Sequence, residues 1–285
     1  MNRSILVIGA NGQLGKRLVR RFSPQFEVQG LDLPEVDITD RESVEAAIAK
    51  SEPQVLLNAA AFTAVDRCEE EPDLAFRVNA EGPGNLADAA KACGALLVHF
   101  STDFVFDGKR EGPPYTEEDK TNPLSVYGKS KLAGEDKVLN SGAEALVLRL
   151  AWLYGMGAWN FVDWVIDAVK KNERPRIVTD QMGSPTWVGD VADQVDRLIE
   201  RQKRGLYHCV GKGSCSRYEW ACLAVRAAGL DPAAIEPITS NHFAQKAPRP
   251  KYSALDNKRL RDEGVEAMRP WEEALHSHLR ESRPS

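Results

Sequence analysis

No stretch of this 285-residue chain stays apolar long enough to cross a membrane; the run ALVLRLAWL (145–153) is broken by Arg149. The N-terminal run ILVIGA (5–10) is too short for a signal peptide and leads straight into glycines. Cysteine is scarce and unpaired. Cys68, Cys93, Cys209, Cys215 and Cys222 are odd in number and lack paired short spacing, which speaks against a disulfide framework and against a zinc site. Reduced thiols in a cytoplasmic protein are the expectation, with Cys93 and Cys209 in the core. A basic excess is missing too. Lys and Arg number 37 against 42 Asp and Glu, a net charge of -5, so a general nucleic-acid binder is disfavoured. Any anionic ligand must be held by a local site. Internal repeats and low-complexity segments are absent.

What is there is ordinary globular composition, 42% hydrophobic and 28% charged, in a chain long enough for one large domain or a domain with an appendage. Short apolar runs at 4–9, 26–32, 54–60, 95–101 and 145–150 read as strands buried on both faces. Between them lie helical patterns at 13–22, from a capping-box sequence at Thr39–Glu42 to about 51, over Pro72–Cys93, and from about Pro123. The alternation predicts an α/β protein with a doubly wound parallel sheet and ligands at the strand C-terminal ends. Beyond 150 the rhythm loosens. Helices are expected at 159–171, 188–203 and 216–228, short strands near 176–179 and 205–210, and a helical tail interrupted at Pro270. Residues 1–150, with a contribution from about 175–203, form the expected dinucleotide-binding domain. Residues 151–285 form a smaller, discontinuous substrate-binding region.

The glycines in VIGANGQLG (7–15) are Gly9, Gly12 and Gly15, directly after the first strand. Glycine permits a tight turn and lets a pyrophosphate approach the backbone, and the next helix aims its free N–H groups at the phosphates. A plain glycine-rich turn is the competing reading; the strand–turn–helix context favours the nucleotide. The second strand ends at Asp32, placed to accept from the adenosine ribose hydroxyls, and Leu33 and Pro34 follow instead of an arginine. That favours NADH over NADPH, although a turn aspartate would look the same.

Residues 126–134 read VYGKSKLAG. Tyr127 and Lys131 share a helix face one turn apart. A neighbouring ammonium lowers a phenol's pKa toward a useful range, while an ordinary surface helix carries the same spacing. Thr102, at the end of the fourth strand, is either a turn cap or a hydroxyl beside the nicotinamide. A hydroxyl, a phenol and an ammonium beside a dinucleotide site make a ketone-reducing group.

This Thr–Tyr–Lys set with GxxGxxG resembles the extended short-chain dehydrogenase/reductase superfamily. The motifs NAAAFTAVDRCEEEP (58–72), STDFVFDG (101–108), NPLSVYGKSKLAGE (122–135), LRLAWLYG (148–155) and DQMGSPT (180–186) resemble, more narrowly, the dTDP-4-dehydrorhamnose reductase family over nearly the whole chain. The resemblance implies a Rossmann-type fold, NADH or NADPH as cofactor, and a nucleotide-sugar substrate. It implies catalysis by Thr102, Tyr127 and Lys131. Asn11, Gly12, Gln13 and Leu14 would line the pyrophosphate between Gly9 and Gly15, with Asp37 and Ile38 near the adenine. Ala61, Phe62 and Thr63 would border the cofactor and Phe100 the nicotinamide. Thr102 and Asp103 would face the sugar, Trp152 would pack on it, and Asn160, Gln181 and Thr186 would touch sugar or nucleotide. Arg249 would meet the diphosphate. A core tryptophan and a solvated arginine remain the plain alternatives for Trp152 and Arg249.

Two departures matter. Phe62 stands where some members carry histidine, so no histidine role is assigned there. Lys16 stands where some carry a glutamate of a magnesium-linked dimer, so no metal is expected, and a monomer or a differently built homodimer is. Two other readings share these motifs: a 4-ketoreductase of other stereochemistry, and a non-catalytic binding subunit like the regulatory beta subunit of methionine adenosyltransferase.

Overall fold

The computed structural model describes residues 4–242 and 245–282. In chain order its main elements are β1 (Ser4–Ile8), α1 (Gln13–Phe22), β2 (Glu27–Leu31), α2 (Arg41–Ser51), β3 (Val55–Asn58), α3 (Val65–Glu70), α4 (Pro72–Phe76), α5 (Gly82–Cys93), β4 (Leu96–Thr102), α6 (Val126–Asn140), β5 (Ala145–Leu150), α7 (Phe161–Lys170), α8 (Val188–Glu200), β6 (Gly205–His208), α9 (Arg217–Ala227), α10 (Lys258–Asp262) and α11 (Trp271–Glu281).

The six strands form one parallel sheet in the order β6-β5-β4-β3-β1-β2. Because side chains alternate along a strand, each apolar run feeds two cores. Ile5, Val7, Val55, Leu57, Val98 and Leu148 meet Leu14, Leu18 and Phe22 of α1 and Val191, Val195 and Leu198 of α8. Leu6, Ile8, Leu56, Leu97 and Val147 meet α2 and α5 through Val44, Ile48 and Leu86, and α6 through Val138. This is the expected doubly wound sheet, and it explains why the runs are continuously apolar. The strand order reverses at β1, which lies between β2 and β3. The crevice outside the C-terminal ends of β1 and β3 is the topological switch point, where ligands bind in such folds.

After β5 the chain adds β6 to the sheet and otherwise alternates helices with short paired segments outside it, such as Arg176–Val178 beside Glu236–Ile238. Trp220, Trp271 and Leu275 of its helices join the same core as α1 and α8. A third cluster, with Val105, Phe106, Tyr115, Ala151 and Val210, packs just beyond the C-terminal ends of β4, β5 and β6. It forms a floor under the loops that carry the site.

Several sequence expectations change in detail. The cap of α2 is Asp40, whose side chain accepts from the Glu42 N–H. Thr39 does not start a capping box, because its hydroxyl is taken by Asp37 Oδ1. The helix expected over Pro72–Cys93 is interrupted by a π-turn at Arg77–Glu81. Pro83 supplies the reason: it has no N–H for the carbonyl of Asn79, and its ring would press on that carbonyl in a regular helix. Helix α6 starts at Val126 and not near Pro123, because the Ser125 hydroxyl caps it by accepting from Gly128 N. Helix α3 was not anticipated. Cys93 is exposed at the end of α5, whereas Cys209 is buried as expected, and so are Cys68 and Cys215.

Candidate active site

The glycine loop sits at the switch point. Gly9 has a φ of +78°, and a Cβ there would lie 2.5 Å from Ala60 N at the end of β3. A Cβ on Gly15 would lie 2.1 Å from Gly9 O. Only glycine lets β1, the loop and α1 close this tightly. Helix α1 begins after Gly12 with no side-chain cap and no acid in its first turn, so its first N–H groups and positive dipole end face the crevice. The Asn11 N–H donates to Asp32 Oδ2 at 2.9 Å, and Leu33 N–H donates to Asp32 Oδ1 at 2.9 Å. Asp32 is thereby held at the loop's rim. These features fit a dinucleotide: a backbone cradle that a single Cβ would fill, and a carboxylate fixed at its edge.

Other residues of the expected cofactor set reach the crevice less directly. Leu14 is buried in the core, so only its backbone serves the loop. Gln13 spends its amide on the Gly155 carbonyl at 2.9 Å and ties the loop to the C-terminal region. Asp37 stays exposed and accepts from the Thr39 N–H and hydroxyl in a local turn. The Ile38 side chain is buried against Gly82. The loop Ala61–Thr63 is clamped by a residue that the sequence did not reveal. Buried Asn79, inside the π-turn, accepts from Phe62 N at 2.8 Å and donates to Phe62 O at 3.0 Å and to Ser130 Oγ at 3.1 Å.

Thr102 ends β4 and Tyr127 opens α6. A Cβ on Gly128 would lie 2.2 Å from Phe104 O, so its absence lets α6 settle onto the turn after Thr102. The Phe104 and Tyr127 rings meet edge to face at 5.5 Å. Thr102 Oγ1 accepts from Phe104 N and donates to Asp103 Oδ1 at 3.1 Å. Burial pushes the Tyr127 phenol up, contact with the Thr102 hydroxyl draws it back, and the charges of Asp103 and Cys68 push it further up. The expected lowering of the phenol by Lys131 is therefore corrected. Lys131 is 2% exposed, and its Nζ is held by the Phe100 carbonyl at 2.6 Å. Desolvation pushes this ammonium down to about 8, with Glu135 one turn on opposing the shift. Phe100 meets the corner through that carbonyl, while its ring lies in the core.

Behind Lys131 lies a second group that the sequence did not mark. Asn58 Oδ1 accepts from Ala60 N, so the Asn58 amide NH2 faces His99 Nδ1 at 3.0 Å. Desolvation, reinforced by the Lys131 charge, holds His99 well below its ordinary pKa. The other nitrogen of the neutral ring, Nε2, lies 3.5 Å from Lys131 Nζ. Glu135 is bound by Arg149 of β5 through contacts of 2.7 to 3.2 Å, with both side chains buried.

A cavity of about 470 Å³ opens beside this corner and is lined by Phe104, Trp152, Phe161, Gln181, Arg217 and Arg249 among others. Its walls come from the turn after β4, from the segment after β5, and from α7 and α9. Of the expected substrate residues, Trp152, Asn160, Gln181 and Arg249 line it. Asn160 is also the cap of α7 and donates to Gly155 O and Asp163 Oδ2. Thr186 is not in the cavity: it is 0% exposed, and its hydroxyl donates to Ser184 O and accepts from Gly211 N. Asp103 is buried next to Thr102, with Oδ2 lacking a partner among the described residues. Desolvation raises its carboxyl to about 6, against the pull of Ser253, Thr102 and Arg217.

A parallel doubly wound sheet, a glycine cradle at its switch point and a Thr–Tyr–Lys corner define an oxidoreductase of the short-chain dehydrogenase/reductase type. The profile of the family described as RmlD substrate binding domain matches residues 2–283. A dTDP-4-dehydrorhamnose reductase from Streptomyces griseus is 41% identical, covering 95% of this chain and 91% of its own. The crystal structure of a dTDP-4-dehydrorhamnose reductase from Clostridium acetobutylicum superposes with a TM-score of 0.94 at 41% identity, covering 97% of this chain and 98% of its own. That of the Bacillus anthracis dTDP-4-dehydrorhamnose reductase, in complex with NADP, gives 0.95 at 37% identity, covering 99% and 100%. The chain belongs to the dTDP-4-dehydrorhamnose reductase family. Reductase names among relatives this similar do not favour the binding-subunit reading.

Proposed function

We propose that this protein reduces the C4 ketone of dTDP-4-dehydrorhamnose to give dTDP-L-rhamnose, with NADH or NADPH as reductant. The observation that carries the reading is Tyr127 in contact with Thr102, one helical turn from Lys131 and edge to face with Phe104 of the aromatic cavity wall. Gly9–Gly15 and Asp32 would hold the dinucleotide. The bound reduced nicotinamide supplies the hydride for the C4 carbon. Tyr127 supplies the proton: its raised pKa keeps the phenol protonated until the alkoxide oxygen develops. Thr102 orients the ketone by rotating its hydroxyl proton from Asp103 Oδ1 to the substrate oxygen. Lys131, pinned by Phe100 O, would offer its remaining donors to the cofactor.

In this reading residues 1–150, with part of 175–203, bind the dinucleotide, and the rest shapes the sugar-nucleotide cavity. The enzyme works in the cytoplasm as a monomer or a homodimer without a bridging metal. Lys16 supports the last point, since its Nζ donates to Gly157 O at 3.0 Å where a metal-binding carboxylate would be needed. The test is loss of reduced-nicotinamide absorbance on adding dTDP-4-dehydrorhamnose, run with each cofactor, and then NMR of the product. An L-rhamno product is expected. No oxidation with either cofactor ends the reading, and a talo configuration at C4 corrects the stereochemistry.

A further inference from the structure

Arg217 is the first residue of α9, after a Ser216–Glu219 capping box. Its backbone N–H is fixed to Gln181 O at 3.1 Å. Its guanidinium lies 3.7 Å from the Trp152 ring centroid, with Phe161 and Trp220 at 5.4 and 5.5 Å. Trp152 is itself held rigidly. Its backbone has a φ of +44°, its ring abuts Gly183, and Trp220 stacks on it at 5.7 Å with 21° between planes. An arginine on such a support keeps the plane of its donor fork fixed.

What distinguishes Arg217 is that nothing answers its charge. Among the described residues its guanidinium makes no hydrogen bond and no ion pair. Asp103 acts on it without forming a pair, and desolvation lowers its pKa to about 10, so it is still charged at neutral pH. The other two arginines of the cavity are answered. Arg249 gives both terminal nitrogens to Asp66 at 3.0 Å, and Arg176 faces Glu236 at 3.6 Å. A cation with an idle donor fork in an aromatic cavity is unfavourable unless a ligand supplies the missing anion. We propose that Arg217, supported by Trp152, and not Arg249, is the arginine that binds the diphosphate of the sugar nucleotide. The proposal rests on the sugar-nucleotide reading above.

The test compares Arg217→Gln, Arg217→Lys and Arg249→Gln with the wild type. Binding of dTDP and of thymidine is followed by titration calorimetry, beside steady-state kinetics with the sugar nucleotide. Arg217→Gln is expected to weaken dTDP binding about 10- to 100-fold, as for loss of hydrogen bonds to a charged group. Thymidine affinity should stay put, and KM should rise by a larger factor than kcat falls. Arg217→Lys should recover part of the loss, and Arg249→Gln should weaken dTDP less than Arg217→Gln does. Wild-type dTDP affinity in Arg217→Gln overturns the proposal, as does equal weakening of dTDP and thymidine, or a larger loss in Arg249→Gln. If the wild type binds dTDP through Arg217 yet reduces no sugar nucleotide, the reductase reading falls and this one stands. If the wild type turns over and Arg217→Gln keeps its dTDP affinity, the reverse holds.

Discussion

Two arginines divide the molecule into a region of structure and a region of recognition. Under α6, Arg149 is clasped by Glu135 and both are out of water. Against α9, Arg217 lies on Trp152 and faces a cavity where, among the described residues, no carboxylate pairs with it. Each is carried by a regular element and packed among aromatic rings. The difference lies in the partner. A buried charge that the chain answers fixes one packing of its own elements, whereas a charge left unanswered has its complement outside the chain. The Thr102–Tyr127–Lys131 corner joins the two, with Lys131 one helical turn from Glu135 and Asp103 within the field of Arg217.

Three substitutions test that division, from the largest expected effect to the smallest. Tyr127→Phe removes the proposed proton donor and leaves the packing. Reduction should fall about 10²- to 10⁴-fold with cofactor affinity nearly kept, as read by stopped-flow turnover and by fluorescence titration of the reduced nicotinamide. Unchanged turnover would take the proton away from Tyr127. Arg149→Met, on the structural side, strands the Glu135 carboxylate. Breaking a buried pair from one side costs about 3 to 5 kcal/mol, to be measured by urea unfolding. A loss within the error of that measurement would mean that Arg149 is no more a structural charge than Arg217 is.

Asp103→Asn probes the boundary through pH. The folded-state pKa of Asp103 is raised to about 6 from an ordinary 3.8. The folded protein therefore binds the extra proton more tightly than the unfolded chain. Its favourable contribution is complete below pH 3.8 and is lost as the pH rises through 6. Above that, an ionised carboxylate with an unpartnered oxygen is held in the core. Asparagine removes this penalty, so the variant should be more stable than the wild type at pH 7.5 by roughly 3 kcal/mol. The gain should vanish near pH 4. Equal differences at the two pH values would show that charge burial at Asp103 is not the cause.

Much of the sheet was legible because its information is local. The five runs read as strands match β1 to β5 within two residues at either end, and the sixth matches β6 at its start. Alternating residues must serve two cores, and that demand writes a continuous apolar run. The glycine loop was legible for a similar reason, since the backbone does the work and only glycine allows it. Capping was misread at Thr39 because two neighbouring oxygens compete for the same N–H groups, and the Asp37 turn decides between them. The cause of the π-turn, Pro83, is local, whereas its consequence, Asn79 reaching the Phe62 loop, spans 17 residues and was not legible. Arg249 and Arg217 could not be ranked from the sequence. Which one is neutralised depends on Asp66, 183 residues before Arg249 in the chain.

The chain's own order thus determined the doubly wound class, the cradle for a dinucleotide and the one-turn pairing of Tyr127 with Lys131, since each rests on spacing along a single segment. Tertiary structure alone decided that Lys131 is pinned to Phe100 and neighbours a neutral His99. It alone decided that Thr186 is sealed inside while Gln181 is not, and that Arg217 has no ion-pair partner among the described residues around the cavity. Charge, burial and reach are set by which distant segments pack together, and no local pattern of residues encodes that choice.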